Sequence, residues 1–352
     1  MKTVRVDLKG NSYDVYIGCG ILKNAGRIIS NVHPRCTCLV ITDDIVEPLY
    51  FQSLKTSLEA EGFSVSKFVF KNGEKSKNIN TFADALEFAA QSRLTRADLI
   101  IALGGGVVGD LAGFAASAYL RGIDYIQIPT TLLAAVDSSV GGKTGVDLSA
   151  GKNLVGAFYQ PSAVIFDCNT LQTLPDVVLA DGISECIKYG VIRDRELFYN
   201  IANGMLSENI IDCIERCVRI KAEIVSGDEF DRGERQLLNF GHTIGHAIEK
   251  LSSFKITHGH AVAIGMSVTA ASSEKQGLCR ACSQEIEQVL RKYDLPVYCP
   301  YDARSLAQAA LSDKKRAGEN ITLVVPEKIG KCVLRSIPVS QLYSFIEAGI
   351  IK

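Results

Sequence analysis

Between Thr37 and Phe166, short apolar runs alternate with stretches of helical spacing, and this alternation limits the possible folds more than any other feature of the chain. Thr37 to Ile41, Ser64 to Phe70, Asp98 to Leu103, Asp124 to Ile128 and Ala163 to Phe166 read as strands. Strands separated by helices pair in parallel, because each connection must cross a face of the sheet and return. The spacing predicts an N-terminal α/β domain with a doubly wound, mostly parallel sheet. Polar and apolar residues alternate near residues 3 to 17, which predicts an antiparallel addition at one edge. From Leu174-Pro175 onward apolar residues recur every three or four positions, and strands stop until Ile321 to Val325. An all-helical C-terminal domain is predicted there. With 352 residues and 47% hydrophobic content the chain exceeds one ordinary core, so the domains are placed at 1–172 and 173–352.

A formal net charge of −1 provides no field that would gather nucleic acid or anionic lipid, so neither is expected as a partner. No long uncharged apolar run and no leader-like segment are evident, which points away from membranes and toward a cytoplasmic protein. Eleven cysteines are scattered without a framework, as in a reducing compartment. Cys279 and Cys282 have CxxC spacing but no second pair, and read as small buried side chains in a helical stretch.

Gly104-Gly105-Gly106-Val107-Val108-Gly109-Asp110 follows a strand and opens a helix running to about Tyr119. Successive backbone N–H groups can point at a phosphate there, and glycine allows the approach. The run comes after several strands and lacks the acidic partner of an ordinary Rossmann fingerprint. A dinucleotide pyrophosphate is the favoured ligand, with tight packing alone as the alternative. Pro129-Thr130-Thr131 through Gly145, followed by Gly151-Lys152-Asn153, is rich in hydroxyls and glycines and poor in solvated charges, as if surrounding something small and polar.

Four of the five histidines, His242, His246, His258 and His260, fall within nineteen residues. On a helix over Gln236 to Lys250, the residues Arg235, Asn239, His242, His246 and Glu249 share one face and Leu237, Ile244, Ile248 and Leu251 another. A solvated face would use paired Lys and Glu instead. Imidazoles suit zinc and related ions, and an open catalytic site takes three protein ligands, so a carboxylate is the natural third. On Leu179 to Ile192, Asp181, Glu185 and Lys188 share a side opposite Ile183, Ile187 and Val191, a pattern that also fits a solvated ion-pair face. Lys221 lies on the inward stripe of Ile214, Cys217, Val218 and Val225, where a lysine needs an anionic partner or a route to the surface.

GGGVVGDLAGFAA, RGIDYIQIPTTLLAAVDSSVGGKTGVD, GKNLVGAFYQP, the Glu185–Lys188 helix, RQLLNFGHTIGHAIE and HGHAVAIGM together resemble the 3-dehydroquinate synthases, in order from about Thr42 to Lys315. The resemblance implies an NAD-binding α/β domain, a helical metal domain and a homodimer. It implies that Glu185, His242 and His258 hold a divalent ion, zinc first and cobalt as an alternative. His246 would contact substrate. Asp137, Lys143, Lys152, Asn153, Lys188, Lys221, Arg235, Asn239 and Lys314 would surround the phosphate, carboxylate and hydroxyls of a small anionic sugar phosphate, and Arg121 would reach the phosphate from a neighbouring subunit. Asp43, Glu74, Lys77, Gly105, Gly106, Asp110, Thr130, Thr131, Lys143, Lys152 and Thr173 would contact NAD. The implied reaction converts 3-deoxy-D-arabino-heptulosonate 7-phosphate to 3-dehydroquinate and phosphate by transient alcohol oxidation, phosphate elimination, re-reduction, ring opening and aldol closure. Asp231 and His260 stand where this family commonly has Glu, and Asp147 where it commonly has Asn. Alternatives are another sugar phosphate cyclase, a metal-dependent polyol dehydrogenase of the same fold, and a non-catalytic sensor. Lys143, Lys152 and Lys221 speak against a neutral polyol, and the DSSVGGK block against the other cyclases.

Overall fold

The first half folds into strands, of which those at Thr37, Leu99, Tyr125 and Ala163 are buried along nearly their whole length, as a sheet covered on both faces requires, whereas the edge strand from Ser64 fully buries only Phe70. In the computed structural model, which describes residues 1–311 and 319–350, the strands of this half are β1 (Lys2–Val6), β2 (Tyr13–Gly18), β3 (Thr37–Asp43), β4 (Ser64–Phe70), β5 (Leu99–Gly104), β6 (Tyr125–Pro129), β7 (Lys143–Leu148), β8 (Gly151–Phe158) and β9 (Ala163–Asp167). Seven form one sheet in the order β1-β2-β9-β6-β5-β3-β4. Every neighbouring pair is parallel except β1 with β2. The predicted antiparallel edge is therefore β1 alone, since β2 runs parallel to β9.

Alternate residues of one strand supply the two faces. Cys38 and Val40 join Ile29, Leu54 and Leu58 in one core, while Leu39 and Ile41 join Ala89, Leu111 and Ala115 in the other. The covering helices are α1 (Ala25–Ser30), α2 (Gln52–Ala60), α3 (Ile79–Gln91) and α4 (Gly106–Ala118). From β3 the chain goes to β4 on one side and then to β5 on the other, so the direction of winding reverses between β3 and β5. In open α/β sheets that reversal leaves a crevice beyond the carboxyl ends of the two strands. The glycine- and hydroxyl-rich stretch after β6 is not one long loop: after a turn at Ala134–Ser138 it folds as the antiparallel hairpin β7–β8.

The chain divides into two units, the first being Met1–Leu174 with Lys221–Phe230 and the second Pro175–Ile220 with Asp231 onward. The remaining helices are α5 (Asp176–Ile192), α6 (Arg195–Ala202), α7 (Met205–Glu208), α8 (Ile210–Gly227), α9 (His242–Leu251), α10 (His258–Lys275), α11 (Cys282–Lys292), α12 (Ala303–Leu311) and α13 (Leu342–Gly349). The second unit is mainly rather than wholly helical. The apolar run at Ile321 to Val325 pairs as β10 (Asn320–Lys328) with β11 (Lys331–Pro338), and places Ile321, Leu323 and Val325 in a core with Ile248, Ile264 and Phe345. The helix read over Gln236 to Lys250 is broken: Glu234–Asn239 is a tight 3-10 turn and α9 begins at His242, because Gly241 turns the chain at φ 79°. Cys279 and Cys282 are buried but joined by a disulfide across the turn that leads into α11, whose first residue is Cys282, not two separate thiols within one helix. Among the described residues no helix is long and apolar enough to cross a membrane.

Candidate active site

The residues matched to the dinucleotide cluster at the winding reversal of the first unit. Asp43 ends β3 and accepts the Ile45 and Val46 N–H groups at 2.9 Å. Gly105 caps α4 at the end of β5, beside the Thr131 side chain, and Thr130 N–H donates to Gly104 O at 3.0 Å. Lys77 is 4% exposed and donates to Asp110 Oδ2 at 2.5 Å and Asn153 Oδ1 at 2.6 Å. Burial pulls the Lys77 ammonium down, but the carboxylates of Asp110 and Glu74 outweigh it and hold the lysine above its ordinary value. Asn153 sits at φ 52° with its N–H donated to Asp147 Oδ1 at 2.7 Å, so the aspartate fixes a strained turn. Lys152 Nζ lies 3.3 Å from Glu74. Thr173 Oγ1 is 2.5 Å from the Tyr50 hydroxyl.

Asp137 and Lys221 also meet within this unit. The lysine, on the apolar stripe of α8 as its spacing predicted, is 6% exposed and donates to Asp137 O at 2.7 Å and to its carboxylate. The partner that an inward lysine requires is therefore Asp137. Lys143 opens β7 with an exposed side chain. Arg121 lies in the turn after α4 at φ 69°.

In the second unit, packing brings three candidate ligands together. Residues 180–192 of α5 are all buried, so the Asp181–Glu185–Lys188 side is not a solvated ion-pair face. Glycines permit two close helix approaches. A Cβ on Gly259 would strike the Asp181 backbone, and one on Gly265 would sit 2.0 Å from Gly241 O. The first contact sets α10 against α5, and the second sets α10 against α9. Asp181 strengthens the former, because Oδ1 accepts the Thr257 hydroxyl at 2.7 Å, His260 N–H at 3.0 Å and His260 Nδ1 at 2.8 Å. A carboxylate at the N-terminus of α10 also meets the positive end of its dipole.

Glu185 Oε1 then lies 3.5 Å from Nε2 of both His242 and His258, and the three ligand atoms fall within 4.8 Å of one another. Donors of a tetrahedral ion at Zn–N distances stand about 3.3–3.4 Å apart. Both Glu185 oxygens are fully buried and accept no well-formed hydrogen bond, although the Lys188 ammonium lies against one. His242 Nδ1 bonds Phe240 O at 3.1 Å and His258 Nδ1 bonds Glu249 Oε2 at 3.2 Å, which leaves each Nε2 directed at the shared carboxylate. Burial drives His242 far below its usual value, keeping it neutral. Burial lowers His258 as well, but Glu185 and Glu249 outweigh it and lift His258 to about 10. A carboxylate short of donors between two imidazoles is the donor set of a zinc or cobalt ion.

Around this set lie His246, with ring centroids 5.4 Å from His242 and 5.9 Å from His258, and the fully buried Lys188, which faces Glu185. Arg235, at 1% exposure, and Asn239 stand on the 3-10 turn, not on the helix face read in the sequence. Lys314 lies outside the described residues. The anchoring roles of Glu249 and Asp181 were not read from sequence. Glu249 shared the polar face with His242 and His246, but only folding shows that it turns toward His258.

Comparison with known proteins fits these arrangements. Residues 67–181 match the family described as 3-dehydroquinate synthase N-terminal, and residues 182–316 match 3-dehydroquinate synthase C-terminal. The chain is 45% identical to the 3-dehydroquinate synthase of Clostridium acetobutylicum, covering 98% of this chain and 99% of that one. It is 44% identical to that of Streptococcus thermophilus with the same coverage. Among solved structures it is similar to 2-deoxy-scyllo-inosose synthase complexed with carbaglucose-6-phosphate, NAD+ and Co2+ (TM-score 0.87, 26% identity, 99% and 100% covered). It is equally similar to 2-epi-5-epi-valiolone synthase from Streptomyces hygroscopicus with NAD+ and Zn2+ bound (TM-score 0.87, 26% identity, 97% of each chain). Glycerol dehydrogenase from Schizosaccharomyces pombe shares the fold at 16% identity (TM-score 0.65).

Proposed function

The chain belongs to the 3-dehydroquinate synthase family, and from that premise we propose that it converts 3-deoxy-D-arabino-heptulosonate 7-phosphate to 3-dehydroquinate and phosphate in the shikimate pathway, in the cytoplasm and as a homodimer. The observation that carries the reading is the buried Glu185 carboxylate facing His242 and His258, in a chain whose other cations suit an anionic substrate. Its cofactors are NAD and a divalent ion. When bound, the two together supply reversible oxidation of a secondary alcohol and withdrawal of charge from its oxygen.

The chain's own residues do the rest. Glu185, His242 and His258 hold the ion, and the bonds from Phe240 O and Glu249 set the two imidazoles before it arrives. Thr130, Thr131, Gly105 and Gly106 present backbone and hydroxyl groups to the dinucleotide. Lys77, bridging Asp110 and Asn153, fixes that wall and the turn carrying Lys152. Lys143, Lys152, Lys188, Lys221, Arg235 and Lys314 bind the carboxylate and phosphate, with Asp137 holding Lys221 in place. His246, Asn153 and Asn239 take the hydroxyls. Arg121 serves the phosphate of a neighbouring subunit, and the division of labour between 1–172 and 173–352 follows the cofactor and the metal. Preorganised cations lower the barrier to phosphate departure by stabilising the charge that develops on it.

The purified protein, given the heptulosonate phosphate and substoichiometric NAD, should release phosphate without net NADH and stop after chelation. Accumulating NADH would instead identify a dehydrogenase, and absence of phosphate release would remove the proposal.

A further inference from the structure

Beside the Glu185 centre, the second unit holds another cluster of ligand atoms. Cys186 follows Glu185 on α5 and so points about 100° around the helix from it. Cys213 and Cys217 are one turn apart on α8 and share a face. All three are 0% exposed. Their sulfurs lie within 4.8 Å of one another. Three thiolates bound to one ion at about 2.3 Å would stand about 3.8–4.0 Å apart, so closing the site needs a movement of about 1 Å or less per sulfur.

Two other buried thiols are satisfied by the backbone: Cys299 donates to Tyr301 O at 3.5 Å and Cys332 to Val191 O at 3.8 Å. Cys186, Cys213 and Cys217 turn their sulfurs toward one another instead. Arg216, in the same turn of α8 and held by Asp194 at 2.8 Å, brings positive charge close to Cys213. A divalent ion on three thiolates leaves one net negative charge, which a single nearby guanidinium can offset. Sulfur donors select soft ions, whereas the Glu185 centre offers only nitrogen and oxygen.

We propose that Cys186, Cys213 and Cys217 form a three-sulfur site for a thiophilic divalent cation, separate from the Glu185–His242–His258 centre, that pins α5 to α8.

Cadmium is the probe, because its bonds to sulfur absorb in the ultraviolet and its bonds to imidazole and carboxylate do not. Metal-free, reduced full-length protein titrated with cadmium should develop a sulfur-to-cadmium band that saturates at one ion per chain, with a rise in Tm. The band should persist in Glu185→Gln, which disables the other centre, and in C279S/C282S, which removes the pair of sulfurs joined as a disulfide. It should fall to background in C213A/C217A, checked by circular dichroism for folding. No band in the wild-type protein overturns the proposal even if the double variant fails to fold. So does a band that survives C213A/C217A or disappears in C279S/C282S. Failure of the phosphate-release assay would leave this result untouched, since the readout does not involve turnover.

Discussion

Replacing Gly265 by alanine should damage the metal site from a distance. The new Cβ would sit 2.0 Å from Gly241 O, about 1.4 Å short of the closest ordinary contact. Neither side can yield by rotating a side chain, because both atoms belong to backbone. α10 must therefore move away from α9, and it carries His258 away from His242. Overpacking of a tight interior costs about 1–3 kcal/mol, and a backbone-to-backbone clash belongs at the upper end. Across a chain of 352 residues a loss of about 3 kcal/mol lowers Tm by about 4 °C. The functional effect is larger, since ligand positions tolerate only about 0.2 Å at a metal and the displacement is several times that. Zinc affinity measured by competition with a chelating dye should fall about 100-fold or more. Gly227→Ala is the control, because nothing lies within 4 Å of a Cβ there, and it should leave both quantities unchanged. If Gly265→Ala binds zinc as tightly as the wild-type protein and melts at the same temperature, the close approach of these helices does not position the ligands.

Lys77→Met would leave Asp110 charged with a side chain only 18% exposed, at a cost of about 3 kcal/mol in urea unfolding, and the double variant K77M/D110L should recover most of it. Glu249→Gln removes the charge that orients His258 and should weaken zinc about 10–100-fold with little change in Tm. Cys36 provides a pH test. Hydrogen bonding to Cys38 lowers its thiol first, burial opposes this, and His33 adds to the lowering, giving about 6. A depressed folded value means the thiolate is present above it and lost as pH falls through it. Alkylation of Cys36, followed by peptide mass spectrometry, should be half-maximal near pH 6, and His33→Ala should move that midpoint upward.

The sheet was legible because burial on both faces demands continuous apolar runs, and β3 to β6 and β9 begin and end within a residue or two of those runs. The histidine cluster was legible because imidazole is rare in this chain and was concentrated in one short stretch. Other features depended on partners distant in sequence. Asp181 read equally well as a surface charge until folding placed it at the start of α10, seventy-nine residues away from His260. Gly241 reads in the helical pattern as a residue that lets another element come close, and α10 does approach it, yet its positive φ also separates the turn bearing Arg235 and Asn239 from the helix bearing His242. β1 and β2 carry the same alternation, so nothing local told which of them runs antiparallel to the rest. The pairing of Cys279 with Cys282 was missed because the intervening chain turns at Ala281, φ 58°, a conformation that the sequence does not advertise.

Anomalous diffraction at the zinc edge from zinc-loaded crystals addresses the metal assignment directly. A peak should lie about 2.0–2.2 Å from Nε2 of His242, Nε2 of His258 and an oxygen of Glu185, and vanish in Glu185→Gln. Zinc seated instead on His246, Glu249 and His258, which also come within reach of one another, would contradict the assignment and the chemistry built upon it.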